Sequence, residues 1–243
     1  MSKFIGSKWK KTVAIQKDAR VASSIPETVP MTKESLSRML GRYGMVYIKP
    51  DFGTCGNGVM RVNKVKAGYR YQLGRKIKNY SAIGPMYAAI LKDTKQKRYL
   101  VQRGIHLLPY NGRPFDLRVM VQLSPKKQWE TTGIVGRIAA KGKIVTNYHN
   151  GGEVVTAERL LAPHTKKIQE KLQSLTKLGE ITGQAMRQSF PHVYKIGLDI
   201  AMESGLKPWI LEVNTNPDPY IFLKHPDRRI FRKIRSYERA YKQ

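Results

Sequence analysis

Cysteine, acidic side chains and long apolar runs are all scarce in this sequence of 243 residues. Cys55 is the single cysteine, which excludes an internal disulfide framework and a zinc site built from cysteines alone. No stretch approaches the roughly 18 apolar residues of a membrane span, and the first residues lack the apolar core of a secretory signal. These absences predict a cytoplasmic protein that folds around its own apolar core.

The shortage of acid leaves a large excess of base. Lys and Arg number 45 against 17 Asp and Glu, which gives a formal net charge of +28. The basic residues occur along the whole chain and are densest over residues 1–20 and 224–242. One interpretation is a solvated basic surface, and the other is a polyanionic partner such as nucleic acid, an acidic peptide, an anionic polymer or a membrane surface. Charge alone does not choose between them.

Hydrophobic patterning predicts a mixed chain in which strands outnumber helices and antiparallel hairpins dominate. Predicted strands cover residues 45–49, 59–65, 98–102, 117–123, 129–138, 143–146, 194–201 and 208–214. Predicted helices cover residues 32–42, 81–92, 163–187 and 226–242. This pattern favours an α+β fold with two lobes that meet near residues 102–104.

Two carboxylates lie on apolar strands that a single turn joins. Asp199 and Glu212 are therefore expected near the open end of one hairpin, and Asn214 shares a strand face with Glu212. Buried carboxylates need a partner, and two carboxylates with an amide oxygen suit Mg²⁺. The alternative is that these side chains cap the sheet and bond backbone amides.

A glycine-rich loop over residues 51–58 follows the strand that contains Lys49. Gly53, Gly56 and Gly58 remove side chains, so backbone N–H groups can cradle phosphate oxygens there, and Lys49 can reach the same phosphates. The loop joins two strands and no helix follows it, so it is neither a Walker motif nor a dinucleotide-binding motif. The alternative is a flexible turn.

Two arginines are predicted on neighbouring strands of the second half. Arg118 shares a strand face with Asp116, and Arg137 lies on the next strand. Converging arginines bind phosphate or carboxylate through paired hydrogen bonds. A surface ion pair between Asp116 and Arg118 is the alternative.

Taken in order, these motifs resemble those of ATP-grasp enzymes, and among them the YheC/YheD-type endospore coat-associated family, with features of the RimK-type branch. The resemblance runs over residues 7–219 and is carried by residues 25–28, 47–58, 99–105, 112–118, 146–152 and 212–214, together with Asp199. It implies an ATP-grasp fold, in which two α+β lobes with antiparallel sheets clamp ATP, followed by a basic C-terminal helix.

The resemblance also implies roles for the matched residues. Those that would contact ATP are Lys8, Lys49, Gly53, Gly56, Gly58, Gln102, Arg103, Ile105 and Asn147. Lys8, Lys49 and the glycines would serve the phosphates, the residues near position 103 would read adenine, and Asn147 would lie in a loop near the acceptor. The catalytic residues would be Lys49, Arg118 and Arg137, and the metal ligands Asp199, Glu212 and Asn214, holding two Mg²⁺ ions that Mn²⁺ could replace.

The chain departs from the family pattern in three places. Gly197 stands where many members carry an arginine two residues before the metal aspartate, and Arg137 is expected to replace it. Gln102 stands where glutamate is usual, and its side-chain oxygen can still accept an adenine N–H. About 30 residues precede the core, so the resemblance leaves no N-terminal substrate domain and implies that other surfaces select the substrate.

The implied domains are a short basic segment at residues 1–30, an N-terminal lobe with the glycine-rich loop at 31–103, a C-terminal lobe with the metal site at 104–223, and a basic helix at 224–243.

The implied activity is that of an ATP- and Mg²⁺-dependent carboxylate–amine (or thiol) ligase, cytoplasmic or spore-associated, that forms an acyl phosphate. Because a cleft uses only a handful of positive charges, the charge of +28 favours an acidic peptide or anionic polymer as substrate. The alternatives are a catalytically silent ATP-binding or spore-structural protein, and a nucleic-acid or polyanion-binding protein on the same scaffold, for which non-specific binding is expected at this charge.

Overall fold

The computed structural model describes residues 4–54, 56–146 and 151–241. The helices are α1 (Lys8–Gln16), α2 (Ala19–Ala22), α3 (Lys33–Tyr43), α4 (Ile83–Thr94), α5 (Ala157–Leu161), α6 (Ile168–Ser189) and α7 (Arg228–Ala240), and a 3₁₀ turn at Tyr220–Lys224 precedes α7. The strands are β1 (Thr28–Pro30), β2 (Met45–Pro50), β3 (Met60–Val65), β4 (Gly68–Leu73), β5 (Lys76–Tyr80), β6 (Tyr99–Arg103), β7 (Pro109–Tyr110), β8 (Arg113–Leu123), β9 (Trp129–Ile138), β10 (Glu153–Thr156), β11 (Lys195–Met202) and β12 (Pro208–Asn214).

The first six strands form an antiparallel sheet in the order β1-β6-β2-β3-β4-β5. Helices α3 and α4 cover one face, because Leu36, Met39 and Leu40 recur at helical spacing and are fully buried. Thr32 begins α3 through a reciprocal capping box with Ser35, and Gly44 ends it in the left-handed conformation. The opposite face of this sheet is left open toward the second lobe.

The remaining strands form a second antiparallel sheet in the order β10-β9-β8-β11-β12, with β7 paired to β8. Its main core lies under α1 and α6, where β8 and β11 contribute residues such as Val119 and Leu198. The face turned to the first sheet is covered only in part, by the 3₁₀ turn and α7, through contacts of Phe222 and Ile234 with Met120. The rest of that face is open, which creates a cleft between the two sheets.

The mixed α+β class with antiparallel sheets and a basic C-terminal helix is confirmed, whereas several element predictions need correction. The predicted strand at 143–146 is wrong, because β10 at Glu153–Thr156 takes the place beside β9 and leaves 143–146 without a partner strand. Helix α6 begins at Ile168, five residues later than predicted. The sequence patterns did not predict the helices α1, α2 and α5 or the strands β1, β4, β5, β7 and β10. Within the described residues, no helix is both long and apolar enough to span a membrane.

Candidate functional site

A cleft lies between the two sheets, and the space in and around it that atoms do not fill, open solvent included, is about 980 Å³. Both sheets and the glycine-rich loop line it. The predicted site residues among its lining are Lys8, Lys49, Gly53, Gly56, Ile105, Arg118, Arg137, Asp199, Glu212 and Asn214. Most of the residues that the sequence singled out separately are therefore brought to one place.

Strand register explains why the charged residues of the second sheet share one face. Asp199 lies opposite Glu212 on one side and opposite Arg118 on the other, while Arg137 lies opposite Asp116. Because directly paired residues in antiparallel strands point to the same side, these five side chains form a continuous polar surface. All five line the cleft.

Two arginines and two aspartates form one ion-pair network on this surface; Arg137 and Asp116 are buried, and Arg118 and Asp199 are partly buried. The Arg137 guanidinium binds both carboxylate oxygens of Asp116 and lies 3.1 Å from Oδ1 of Asp199. Nε of Arg118 donates to the same Oδ1 at 2.7 Å. Asp116 thus pairs with Arg137, and the surface pair between Asp116 and Arg118 that the sequence left open does not form.

The network favours the charged forms of Arg137 and Asp199. Burial alone would lower the pKa of Arg137, but Asp116 and Asp199 outweigh it and raise that pKa above its ordinary value. Burial would raise the pKa of Asp199, yet Arg118 and Arg137 hold it below its ordinary value. Arg137 and Asp199 therefore stay ionised at neutral pH.

Two lysines lie in the cleft beside the carboxylates: Lys49 belongs to the first sheet, and Lys8 lies at the start of α1. Lys49 Nζ donates to Oε1 of Gln102 at 2.6 Å, and Lys8 Nζ donates to the backbone oxygen of Gly53 at 2.7 Å. Lys8 also lies 3.5 Å from Oε1 of Glu212. Burial lowers the pKa of Lys49 to about 8, and the nearby Glu212 offsets only part of that effect. Lys49 is thus a partly buried cation without a carboxylate in direct contact among the described residues, and a phosphate would supply the missing negative charge.

Helix α1 places Lys8, and Asp51 holds the start of that helix. Oδ1 of Asp51 accepts hydrogen bonds from the Ser7 hydroxyl and the Trp9 N–H, both at 2.8 Å. Asp51 is fully buried and begins the glycine-rich loop, so it joins the loop to the N-terminus of α1. Lys11, one turn after Lys8, is also buried, and burial lowers its pKa. The roles of Asp51 and Lys11 were not predicted from the sequence, because α1 was not predicted. The i, i+3 spacing of Lys8 and Lys11 was the signal that could have indicated this helix.

The glycine-rich loop adopts the backbone conformations that its glycines permit. Gly56 and Gly58 have φ values of +70° and +74°, in the left-handed region that favours glycine. A Cβ at Gly58 would lie 2.7 Å from the hydroxyl of Tyr99, and one at Gly56 would lie 3.3 Å from Val145. The loop is therefore closely packed against both lobes. Gly58 itself does not line the cleft. Cys55 and Asn147 lie outside the described residues.

Of the three residues predicted to read adenine, Ile105 lines the cleft and the other two do not. Ile105 is buried and lines the cleft. Gln102 is buried behind Lys49, and its side-chain oxygen accepts the hydrogen bond from that lysine. The Arg103 guanidinium stacks on Trp209 at 4.5 Å and does not line the cleft. An adenine contact from Gln102 or Arg103 would therefore have to come from the backbone, and it stays a prediction.

The predicted metal ligands offer hard oxygen donors at one end of the cleft. Within the described residues no group of three His, Cys, Asp or Glu side chains could hold an ion, and the predicted set combines two carboxylates with the amide of Asn214. Glu212 is 23% exposed, and its ion pair to Lys8 is long at 3.5 Å. Two carboxylates, one amide oxygen and room for further oxygens fit Mg²⁺, which keeps several water or phosphate ligands in protein sites.

Comparisons with known proteins agree with this geometry. A family model described as YheC/D like ATP-grasp matches residues 1–243. The endospore coat-associated protein YheD of Bacillus subtilis (strain 168) is 29% identical over 253 residues, covering 98% of this chain and 54% of YheD. The endospore coat-associated protein YheC of the same organism is 24% identical over 226 residues, covering 89% of this chain and 62% of YheC. The chain thus spans little more than half the length of these curated relatives.

Solved structures show the same fold at low identity. D-cycloserine synthetase DcsG superposes with a TM-score of 0.58 at 9% identity, over 97% of this chain and 70% of that one. Carboxyaminoimidazole ribonucleotide synthase from Aspergillus clavatus, solved with ATP, gives 0.57 at 12% identity, over 88% of this chain and 45% of that one. The family match over the whole length, together with two antiparallel sheets around a charged cleft, shows that this chain belongs to the YheC/D-like ATP-grasp family.

Proposed function

We propose that the chain is an ATP- and Mg²⁺-dependent carboxylate–amine ligase that works through an acyl phosphate. The observation that carries the proposal is that Lys8 and Lys49 line the same cleft as the row of Arg118, Asp199 and Glu212. This arrangement suits a reaction between two anions, a triphosphate and a carboxylate. The ATP-bound synthase of the same fold supports the choice of nucleotide.

ATP is proposed to lie with its phosphates at the lysines and its base at the apolar end of the cleft. Lys8, Lys49 and the backbone of Gly53 and Gly56 would bind the phosphates, because fixed cations and free N–H groups stabilise polyanions. Ile105 would pack against adenine, with the backbone of residues 102–103 as its hydrogen-bonding edge. Asn147 is kept as a proposed contact near the acceptor.

Asp199, Glu212 and Asn214 would hold Mg²⁺. When bound, the ion would neutralise charge on the phosphate oxygens and orient them. Asp199 is shared with Arg118 and Arg137, so within the proposed set Glu212 is the carboxylate least engaged by arginine. The γ-phosphate would lie where the cationic and anionic side chains of the second sheet, such as Arg118 and Asp199, are next to each other.

The chemistry needs no covalent nucleophile from the protein. An oxygen of the substrate carboxylate attacks the γ-phosphorus, and the bond from that phosphorus to the oxygen of ADP breaks. The substrate amine then attacks the acyl carbon, the bond to phosphate breaks, and the nitrogen loses a proton. Arg118 and Arg137 are proposed to face the transferring phosphoryl group, and with Lys49 they position reactants and offset charge.

The substrates are proposed to include an acidic peptide or an anionic polymer as carboxylate donor or acceptor. The cleft accounts for only a few of the positive charges that make up the net +28. Because both curated relatives are named endospore coat-associated proteins, we also propose spore association.

Calorimetric titration with ATP, with and without Mg²⁺, tests the first step. Wild type should bind ATP in a Mg²⁺-dependent manner, and Lys49→Ala should weaken binding by roughly tenfold or more. Lys64→Ala, at an exposed position of β3, is the matched control and should leave affinity unchanged. Release of ADP and phosphate is then measured against acidic peptide acceptors. Binding without turnover on any acceptor would identify a catalytically silent ATP-binding protein, and no binding by wild type would overturn the proposal.

A further inference from the structure

The outer side of α7 carries four arginines in one line. Arg228, Arg232, Arg235 and Arg239 follow one another at intervals of four, three and four residues, which places them on one side of the helix. At 1.5 Å per residue this line, here called the arginine stripe, is about 16 Å long. It lies outside the proposed ATP site, because none of its residues lines the cleft.

The opposite side of α7 is fixed to the second sheet. Ile234 is fully buried, and its backbone oxygen accepts a hydrogen bond from Gln122 at 3.1 Å. Lys195 and Glu238 form a buried ion pair at 2.7 Å. The stripe is therefore held in place before any ligand arrives, which lowers the ordering cost of binding.

Within residues 4–54, 56–146 and 151–241, much of the positive charge of this surface is not neutralised. Three basic groups of α7 have acidic partners, in the pairs Arg229–Asp227, Lys233–Glu130 and Arg235–Glu238. Across the described ranges no carboxylate lies within 4.0 Å of Arg228, Arg232 or Arg239, and all three are exposed. A ligand with repeated negative charges would supply the missing partners.

An exposed aromatic ring lies beside the stripe. Tyr220 is 57% exposed, and the guanidinium carbon of Arg235 lies 5.8 Å from its ring centroid. Phe231 supports the ring at a centroid distance of 5.9 Å. A row of cations next to an exposed ring is the arrangement by which proteins hold single-stranded nucleic acids, with the backbone on the cations and a base on the ring.

The choice of arginine and the ring together favour a phosphate polymer with bases over an acidic peptide. A guanidinium donates two parallel hydrogen bonds to a phosphate, and it does the same to a carboxylate. Every nucleotide of a nucleic acid carries a base that can stack on the face of Tyr220, whereas Asp and Glu side chains have no ring to place there. We propose that the arginine stripe and Tyr220 bind a single-stranded nucleic acid.

The surface begins near the cleft but acts independently of the proposed ligase activity. Pro217 packs over Gly197, two residues before Asp199 on the cleft face, and Tyr220 follows three residues later. A strand bound along α7 would therefore pass close to the mouth of the cleft without entering the proposed ATP site.

Fluorescence anisotropy with labelled oligo(dT) and oligo(U) of about 12 nucleotides tests the proposal on the full chain. The variant Arg228→Gln/Arg232→Gln/Arg239→Gln should bind at least tenfold more weakly, and the slope of log affinity against log salt should fall by about 2. The control variant Lys64→Gln/Lys66→Gln/Arg75→Gln removes the same charge from exposed positions of the other lobe, and should cost less than about threefold. ATP affinity and melting temperature of both variants should match wild type, which separates this test from that of the cleft.

Tyr220→Ala distinguishes the class of ligand. It should weaken oligonucleotide binding by roughly fivefold to a hundredfold, the range expected for losing one stacked base, and leave binding of oligo-glutamate unchanged. Equal losses in the two triple variants would mean that only overall charge matters and would overturn the site. Oligo-glutamate that competes on equal terms, with no effect of Tyr220→Ala, would identify an acidic-peptide surface instead. Absence of oligonucleotide binding at about 150 mM salt would also overturn the proposal.

Discussion

Asp199 lies directly opposite Glu212 in the antiparallel register of β11 and β12, so the two carboxylates are neighbours on one sheet face. Their surroundings nevertheless differ. Asp199 is held by arginines at 2.7 and 3.1 Å, whereas the ion pair of Glu212 is the 3.5 Å contact to Lys8. We therefore expect Asp199 to organise the charges of the site and Glu212 to be the carboxylate most available to a cation.

Glu212→Gln should abolish the Mg²⁺ dependence of ATP binding and lower turnover by roughly a hundredfold or more. The substitution keeps the size of the side chain and removes its charge, so the loss would report on the carboxylate itself. Calorimetry with and without Mg²⁺ gives the first quantity, and ADP release gives the second. Glu170→Gln, at a 68% exposed carboxylate of α6, is the control and should behave as wild type. Turnover that survives Glu212→Gln would exclude Glu212 as a metal ligand.

The lowered pKa of Lys49 predicts a pH dependence of ATP affinity. Burial brings that pKa to about 8, and a bound triphosphate favours the charged form, so affinity should fall as pH rises above about 8. The fraction of Lys49 that is charged is roughly eightfold smaller at about pH 9 than at about pH 7.5, so ATP affinity should fall by the same factor between these pH values. Lys49→Arg stays charged at both values and should remove most of this dependence. An unchanged profile in Lys49→Arg would assign the titration to another group.

The same shift has a consequence for stability without ligand. Between about pH 8 and about pH 10.5 the unfolded chain still binds the lysine proton and the folded chain does not. The free energy of unfolding contributed by this group therefore rises with pH across that window. Denaturant titrations of wild type and Lys49→Met measure it as a difference between the two proteins.

The alternation of side chains along strands explains why much of the site could be predicted from the sequence. Asp199, Glu212 and Asn214 each lie on a strongly apolar strand, and the two-residue period alone places the last two on one face. A single turn between the strands then makes them neighbours of Asp199, as the register of β11 and β12 bears out. Local patterns therefore fixed which residues meet within one hairpin.

Such local patterns could not predict which charged residues pair with each other across several strands. Asp116 could pair with Arg118 by sequence, but β9 brings Arg137 directly opposite Asp116, while β11 brings Asp199 opposite Arg118. That outcome depends on the order of strands in the sheet, which the sequence does not state locally. Helix α1 was missed for a similar reason, because its low amphipathicity reflects lysines that are buried against distant carboxylates rather than exposed to solvent.

The pairing of Arg137 with Asp116 predicts a large stability loss on removing one partner. Arg137→Met should lower the free energy of unfolding by about 3–5 kcal/mol, because it leaves Asp116 buried and without its counter-charge. Asp116→Leu in the same protein removes the orphaned carboxylate and should restore part of the loss. Urea unfolding of the two single variants and the double variant gives the coupling. Additive losses would show that the pair does not act as a unit.

The network also predicts acid sensitivity. Because Arg118 and Arg137 hold the pKa of Asp199 below its ordinary value, the stability that this group contributes is present above an ordinary carboxylate pKa and is lost as pH falls below it. Arg118→Met should reduce the slope of stability against pH in the acid range. Thermal melts at several pH values below about 5 measure that slope. A slope equal to that of wild type would place the acid sensitivity at other carboxylates.

Gly58 is predicted to be the most demanding glycine of the phosphate loop. It combines a φ of +74° with a position where an added Cβ would lie 2.7 Å from the Tyr99 hydroxyl, so Gly58→Ala should cost about 1–3 kcal/mol of stability and weaken ATP binding. Adding Tyr99→Phe removes the hydroxyl but not the backbone strain, so it should restore only part of the loss. Gly41→Ala, in α3 with no atom within 4 Å of the new methyl group, should instead stabilise the protein by about 0.5–1 kcal/mol and leave ATP affinity unchanged. A Gly58→Ala protein that binds ATP as wild type does would show that the loop tolerates a different backbone at this position and that Gly58 is not required for phosphate binding.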